Sequence, residues 1–226
     1  MTLPSRRSIF AASLALLIGF APFASAQSTN ALPDLTTSSA RFDVYAIAGL
    51  PDAAKSAFGQ ANAKMRSGEL AGFVFAASPD MKVWALNTAP KTMTGYNPSD
   101  SARQTLEICE FEVKQPCVIL SVNGYRAQPA AGAQAGRPEM LFSRPSDFDA
   151  TVLPFVAQPA RAEAAVYQKA QGPRAFALTT NGLWLWRGGA AIVQAIDRTM
   201  ADCAAPFKPA PCLLYAVNDR VVFVAR

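Results

Sequence analysis

The chain of 226 residues contains no histidine. That absence excludes a Ser-His-Asp or Cys-His catalytic device, a histidine general base and the usual histidine-containing zinc or iron sites. Cysteine is scarce, with four residues, and if all four are paired no thiolate nucleophile remains. An enzyme built on this chain would therefore depend on carboxylate, lysine, tyrosine or serine–lysine chemistry.

Several functional motifs are missing as well. Beyond residue 26 there is no Ser-x-x-Lys motif and no glycine pattern typical of a phosphate-binding loop. The formal net charge is +5, and it falls to +3 without residues 1–26, which hold two arginines and no acid. Basic residues occur singly or in pairs rather than in clusters, so the sequence predicts no nucleic-acid partner.

The N-terminus follows the order of an export signal. Paired arginines precede an apolar run over residues 9–23, and Ala24-Ser25-Ala26 then offers the small-x-small pattern of a cleavage site. The apolar run is shorter than a spanning helix needs and holds a glycine and a proline, which disfavours a retained membrane anchor. We therefore predict a signal peptide over 1–26 and a periplasmic or secreted protein without a membrane span. The paired arginines leave both the Sec and the twin-arginine routes open.

The four cysteines form two local pairs in sequence. Cys109 lies close to Cys117, and Cys203 lies close to Cys212. In an exported chain these are most simply two disulfides, each closing a short loop worth about 2.5 kcal/mol in the chain-entropy model. A four-thiolate zinc site normally uses Cys-x(2–4)-Cys spacing, and the spacings here are wider. The sequence thus predicts disulfides Cys109–Cys117 and Cys203–Cys212.

The surroundings of the cysteines indicate an internal repeat. In both 109–123 and 203–218, a cysteine is followed by a short polar segment, by Pro-Cys and by an apolar run that ends in Val-Asn. Other matches occur in the same order: Leu50-Pro51 with Leu153-Pro154, 72–76 with 173–177, and Trp84 with Trp184 and Trp186. We therefore predict a flexible leader at 27–41, a first repeat unit at 42–126, a linker at 127–150 and a second unit at 151–226.

Each predicted unit has the same succession of periodicities. Apolar residues at helical spacing end at Gly68 in the first unit and before Gly172 in the second. A hairpin follows, with Asn181-Gly182 as a strong turn signal, and then a second helix and two strands. The predicted fold is α+β: a tandem duplication of a helix–hairpin–helix–strand–strand unit, with an antiparallel sheet and helices on one side.

This pattern resembles small exported bacterial proteins of unknown function that carry a cysteine-paired, Trp-containing repeat ending in Cys-x(n)-Pro-Cys-x-Leu-Tyr-Ala-Val-Asn. It also looks like the β-β-α-β modules appended to caspase-like peptidases and other envelope proteins. The residues that carry the resemblance are Phe176-Ala177-Leu178, Gly182, Trp184, Cys203, Pro211-Cys212, Leu214–Asn218 and Val221-Val222. The first unit departs from the signature where Ser121 and Gly124 stand in place of Ala216 and Asp219. The resemblance implies the fold and export, but no activity.

The tryptophans are the candidate binding residues. Trp184 and Trp186 alternate along a predicted strand, so both indoles point to the same face, and Trp84 has a similar place in the first unit. Facing outward, such a pair would suit stacking on a sugar or a partner surface. The competing interpretation places the indoles in the core, and the general tendency of large aromatic residues to be buried favours it.

From these observations we predict a non-catalytic envelope module that binds a protein, glycan or peptidoglycan-derived partner, without catalytic residues, cofactor or metal. The alternative is a histidine-free, carboxylate-dependent hydrolase acting in the cell envelope. Its candidate acids are Glu110 and Glu112, which an extended segment would place on one side, inside the first disulfide loop. A cleft with two close carboxylates would favour the enzyme, and an exposed patch without them would favour the binder. Ligand identity and oligomeric state are not predicted.

Overall fold

A computed structural model describes residues 35–129, 147–204 and 211–223. The predicted signal peptide lies outside these residues. The described residues form four helices and two antiparallel sheets, which confirms the α+β class. The helices are α1 (Asp52–Ser67), α2 (Pro98–Val113), α3 (Gln158–Lys169) and α4 (Ile192–Ala204). The strands are β1 (Leu35–Arg41), β2 (Leu70–Ala77), β3 (Trp84–Pro90), β4 (Val118–Val122), β5 (Tyr125–Pro129), β6 (Arg174–Thr179), β7 (Trp184–Gly188), β8 (Cys212–Val217) and β9 (Arg220–Val221).

The same order of elements occurs twice along the chain. We call residues 35–129 the first half, and residues 147–204 with 211–223 the second half. After a short 3₁₀ helix (Val44–Ala46 or Ala150–Val152), each half runs helix, strand, strand, helix, strand, strand. The strand order is β1-β5-β4-β2-β3 in the first sheet and β7-β6-β8-β9 in the second. Apart from the additional edge strand β1, the two sheets therefore have the same topology.

Both halves begin earlier than their composition suggested. Residues 35–41, expected in a flexible leader, form the edge strand β1, which pairs antiparallel with β5. The expected linker is likewise shorter, because β5 continues to Pro129 and Asp147 already bridges Arg220 of β9. An edge strand pairs through its backbone and keeps polar side chains in solvent, so a Ser- and Thr-rich segment can form one. The remainder of the predicted linker, 130–146, lies outside the described residues.

The helices cover both faces of each sheet rather than one. In β2, Phe73, Phe75 and Ala77 pack with Ala54, Phe58 and Ala61 of α1. The alternate residues of β2 pack with α2, as the clusters of Val74 with Ala102 and of Ala76 with Leu106 show. The prediction of helices on one side is therefore wrong. Strand β2 is apolar at almost every position, and such a continuous run is typical of a strand that is covered on both faces.

Helix α2 lies between the first sheet and the second half. One side packs on β2, and on the other side Ile108 and Phe111 contact the aromatic core of the second half. That core contains buried Phe148, Phe155, Tyr167, Phe176 and Tyr215. The α2 helix begins at Asn97, whose side chain accepts hydrogen bonds from the amides of Ser99 and Asp100. Because α2 is covered on both sides, it packs against the cores of both halves.

Both predicted disulfides are confirmed. Cys109 pairs with Cys117 and Cys203 pairs with Cys212, with Cα–Cα distances of 6.2 Å and 6.0 Å. No cysteine is left free. Each bond joins the C-terminal part of the second helix of its half to the beginning of the next strand, with Cys212 as the first residue of β8 and Cys117 directly before β4. The two bonds therefore occupy corresponding places, as the spacing of the cysteines predicted.

Candidate functional site

The Val-Asn repeat forms the same clamp in both halves. The backbone N–H of Phe73 donates to the side-chain oxygen of Asn123 over 2.9 Å, and the N–H of Asn123 donates back to the carbonyl of Phe73 over 2.8 Å. Arg174 and Asn218 make the same two bonds, at 3.1 Å and 2.8 Å. Both asparagines have a positive φ, which asparagine tolerates better than most residues. This clamp makes Phe73 correspond to Arg174, and Asn123 to Asn218.

A Phe-Asp pair before each 3₁₀ helix extends the correspondence. The N–H of Phe42 donates to the carbonyl of Gly124, and the N–H of Phe148 donates to the carbonyl of Asp219. The aspartate that follows each phenylalanine caps the short helix, with Asp43 accepting from Tyr45 and Asp149 from Thr151. This pair was not predicted from the sequence. The sequence does contain a matching pattern, Arg41-Phe42-Asp43 and Asp147-Phe148-Asp149. It was overlooked because the second repeat unit was predicted to begin at residue 151, which left 147–149 in the linker.

In the second half, ion pairs close the region around this clamp. The buried guanidinium of Arg174 lies 2.5 Å from the carboxylate of Asp219 and also donates to the carbonyls of Tyr167 and Gly172. Arg220 lies 3.9 Å from Asp147 in a second, exposed pair. We call this region the Asn218 corner. Its two arginines are neutralised by its two aspartates.

The matching region of the first half, the Asn123 corner, has no acid at any of these four positions. Phe73 replaces Arg174, Gly124 replaces Asp219, Arg41 replaces Asp147 and Tyr125 replaces Arg220. The guanidinium of Arg41 lies over the ring of Tyr125, 4.3 Å from its centroid. Gly124 has φ +80°, and a Cβ there would come within 2.8 Å of the side-chain oxygen of Asn62. The absence of a side chain at Gly124 thus leaves space beside Asn62 and Arg41.

A groove of about 600 Å³ opens at the Asn123 corner, and we call it the arginine groove. Strands β1 and β5, the last turn of α1, the first turn of α2 and the end of β4 form its walls. The lining residues are Thr37, Arg41, Met65, Arg66, Pro98, Ser99, Val122, Asn123 and Tyr125. A cavity of this size falls in the range of small-molecule sites.

The charge of the groove comes from two arginines. Among the described residues, neither Arg41 nor Arg66 lies within ion-pair distance of an acid. The lining contains no aspartate or glutamate. The first amides of α2 are already bound by Asn97, so the helix end adds no free donors there. The positive potential in the groove is therefore that of the guanidinium groups.

Tyr96, which is not one of the lining residues, holds the side chain of Asn123. Its hydroxyl donates to the side-chain oxygen of Asn123 over 3.3 Å, and burial raises its pKa above that of a free tyrosine. The ring lies against Gly72, where an added Cβ would come within 2.3 Å of it. With Phe73 and Tyr96 both donating to its oxygen, Asn123 can offer only its NH₂ group to the groove.

The predicted tryptophan site has a different location. Trp184 stacks on Phe176 with centroids 5.5 Å apart, and Trp186 meets the edge of Tyr167 at 5.9 Å. Both are half-buried against the aromatic core of the second half, and Trp84 packs near Phe75 in the first. A shallow depression follows β7 alongside Trp184 and Trp186. The structure does not bring the three tryptophans together, nor does it place any of them in the arginine groove.

The two carboxylates expected for a hydrolase do not lie side by side. Glu110 and Glu112 lie in α2 rather than in an extended segment, so a spacing of two turns them to different sides of the helix. Glu110 is buried and accepts from the amide of Cys117 over 3.2 Å, whereas Glu112 is exposed. The expectation that they share one side is wrong, because the helical pattern continues to Val113. Glu110 therefore supports the disulfide loop.

A second charged cluster lies where α2 meets the second half. Arg103 donates to both oxygens of Glu107, at 2.6 Å and 2.5 Å, and also to Asp100 and to the carbonyl of Val156. Glu107 also accepts from the amide of Phe155 over 2.7 Å. Burial raises the pKa of Glu107 above that of a free glutamate, and Arg103 opposes the rise. Since these bonds enclose the carboxylate, the cluster joins the halves and offers no reactive acid to a substrate.

No protein-family model, no curated protein and no solved structure matches this chain. The site must therefore be interpreted from its own chemistry. Within the described ranges, no group of three or more acidic or cysteine side chains is arranged to hold a metal ion. The arginine groove is a concave site that carries hydrogen-bond donors and apolar walls.

Proposed function

We propose that the protein is a non-catalytic, exported envelope module that binds a protein, glycan or peptidoglycan-derived partner. The observation that carries this proposal is the arginine groove, which is open, positively charged and lined by no acid. A hydrolytic site needs a nucleophile or a pair of acids, whereas a binding site needs only shape and complementary polar groups. The proposed binding site is this groove rather than the tryptophans, because the indoles pack against aromatic cores.

Three features support export and an envelope location. The first 26 residues have the order of a cleavable signal, the two disulfides suit an oxidising compartment, and the resemblance to exported repeat proteins agrees with both. No helix of the described residues is long and apolar enough to cross a membrane. N-terminal sequencing of the protein from an envelope fraction should begin at Gln27. An intact Met1 in the exported protein would contradict the signal-peptide prediction.

The correspondence between the halves supports a tandem duplication as their origin, and we include it in the proposal. The asparagine clamp, the Phe-Asp cap, the disulfide and the strand order all occur in both halves. After such a duplication, one copy would keep the neutral Asn218 corner while the other acquired the open groove. Binding would then belong to the first half alone.

A direct binding experiment tests the function. The purified protein is mixed with three classes of candidate ligand: soluble peptidoglycan fragments, a neutral oligosaccharide such as chitotetraose, and an envelope protein extract. Calorimetry measures binding of the first two. We expect saturable binding of at least one class, and no new products when the mixture is analysed by mass spectrometry after prolonged incubation. Cleavage of a fragment would instead favour the hydrolase. Absence of binding in all three arms would refute the proposed function.

A further inference from the structure

We infer that the arginine groove binds the anionic end of a ligand, a carboxylate or a phosphate, attached to an apolar body. This inference rests on the proposed binding function and specifies its chemistry. It is carried by the polar groups of the groove, by the contrast with the Asn218 corner, and by the apolar walls beside the arginines.

The charged and amide groups of the groove are donors. Two guanidinium groups, from Arg41 and Arg66, have no acidic partner among the described residues. The side-chain oxygen of Asn123 is already engaged by Phe73 and Tyr96, which leaves its NH₂ group. The hydroxyls of Thr37, Ser99 and Tyr125 can either donate or accept. A ligand that matches this lining must bring acceptor oxygens, and guanidinium groups bind carboxylate and phosphate with two parallel hydrogen bonds.

Arg41 is oriented before any ligand arrives. Its guanidinium lies over the ring of Tyr125 at 4.3 Å, an arrangement that holds the plane of the group while leaving its N–H edges available. A preoriented side chain loses less conformational entropy on binding than a free one. Arg66, in the last turn of α1, faces the same groove from the other wall. Both arginines therefore line the groove, from opposite walls.

The Asn218 corner shows what the Asn123 corner lacks. In the second half, Asp219 and Asp147 supply the negative charges that balance Arg174 and Arg220. In the first half, Gly124 stands in place of Asp219 and Arg41 stands in place of Asp147. One acid is thus replaced by a residue without a side chain, and the other by a positively charged residue. Phe73 and Tyr125 also stand in place of Arg174 and Arg220, so Arg41 is the one charged residue at these four positions. An anion bound in the groove would balance the charge of Arg41, which has no acidic partner among the described residues.

The rest of the ligand is indicated by the apolar lining. Met65, Pro98 and Val122 flank the arginines and offer surface to a hydrocarbon or peptide body. The cavity of about 600 Å³ has room for an end group together with a few neighbouring atoms of the ligand. The C-terminus of a short peptide and an organic phosphate both have this combination of an acceptor-rich end and a less polar body.

The test uses probes that differ only in the anion. The carboxylate pair is N-acetyl-alanyl-alanine and its C-terminal amide, and the phosphate pair is phenyl phosphate and phenol. Binding to the full mature protein is followed by two-dimensional amide NMR, with the side-chain NH₂ of Asn123 and the amide of Ser99 as reporters. We expect at least one anionic probe to bind ten times more tightly than its neutral partner, and its identity distinguishes carboxylate from phosphate.

Substitutions assign the effect to the groove. Arg41→Gln should weaken the preferred anion at least tenfold, and Arg66→Gln at least threefold. Arg220→Gln is the matched control, since it removes the same charge from the corresponding corner of the second half, where Asp147 is the partner. That variant should bind as the unsubstituted protein does. Melting temperatures of all three verify that the fold persists.

The outcomes separate this inference from the proposed function. Equal binding of charged and neutral probes, no binding of any probe, or equal loss in Arg41→Gln and Arg220→Gln would each overturn the anion site. If an envelope partner still bound Arg41→Gln as tightly as the unsubstituted protein, the function would stand and the groove would not be its site. If the anionic probe bound while no envelope partner did, the anion site would stand and the proposed function would fail.

Discussion

The Asn123 and Asn218 corners share a backbone and differ in charge. Both use an asparagine at positive φ to clamp an inner strand of the sheet, and in both a carbonyl accepts from the amide of a buried phenylalanine. In the second half the side chains around the clamp form two ion pairs, and in the first half two arginines face an open groove. The comparison shows that the same clamp forms with two different sets of surrounding side chains. Those side chains are thus free to define a ligand site.

The largest expected effect concerns the contact between the halves. Glu107→Ala should lower the free energy of unfolding by about 4 kcal/mol, because the largely buried Arg103 loses the carboxylate to which it donates two hydrogen bonds, and the amide of Phe155 loses this acceptor. Urea unfolding measures the change. Asp197→Ala, on the exposed side of α4, is the control and should shift stability by less than about 0.5 kcal/mol. Similar losses in both variants would show that the cluster does not join the halves.

Truncating a tryptophan in each half compares the packing of the two cores. Trp184→Ala should cost about 3 kcal/mol of stability, at the low end for a large aromatic truncation because the side chain is half-exposed. Trp84→Ala should cost less, since Trp84 lies farther from Phe75, at 6.2 Å and tilted. Thermal melts of the two variants rank them, and Trp184→Phe should recover part of the loss. Near-normal melting of Trp184→Ala, with weakened ligand binding, would restore the tryptophan site.

The disulfides should contribute nearly equally to the two halves. Replacing Cys109 and Cys117 by serine, or Cys203 and Cys212, should cost about 2.5 kcal/mol in each case, because the loops are of almost the same length. Denaturant unfolding of the two double variants gives the comparison. Non-reducing peptide mapping should find each bond by itself. A cross-linked peptide joining Cys109 to Cys203 would contradict the pairing in both halves.

The smallest effect comes from giving the first half the acid of the second. Gly124→Asp should cost about 1 kcal/mol, since φ +80° is unfavourable for a residue with a side chain and Asn62 has to move. The new carboxylate would lie beside Arg41 and should abolish anion binding. Gly95→Asp is the control, because it makes the same charge change at a similar φ with nothing within 4 Å. It should leave anion binding unchanged, and a loss there would indicate a general effect of charge.

The elements that could be predicted are those with strong local signals. The disulfides followed from spacing, and the helix end at Gly68 and the turn at Gly182 followed from glycines that the structure places at positive φ. Strand β1 was missed because edge pairing leaves no hydrophobic pattern. The arginine groove could not be predicted, since Arg41, Arg66 and Ser99 are distant in sequence and meet only through the tertiary fold.

Helices α2 and α4 can be aligned on their cysteines, Cys109 and Cys203. Both helices carry a buried threonine four residues before the cysteine, Thr105 and Thr199. The side of α2 that holds Arg103 and Glu107 is covered by the second half, whereas the corresponding side of α4 is exposed and polar, with Gln194, Asp197, Arg198 and Asp202. A further unit docked on this side of α4, as the second half docks on α2, would bury the charges of Asp197 and Arg198. Exchanging the two halves would expose Ile108 and Phe111, which now pack on the core of the second half.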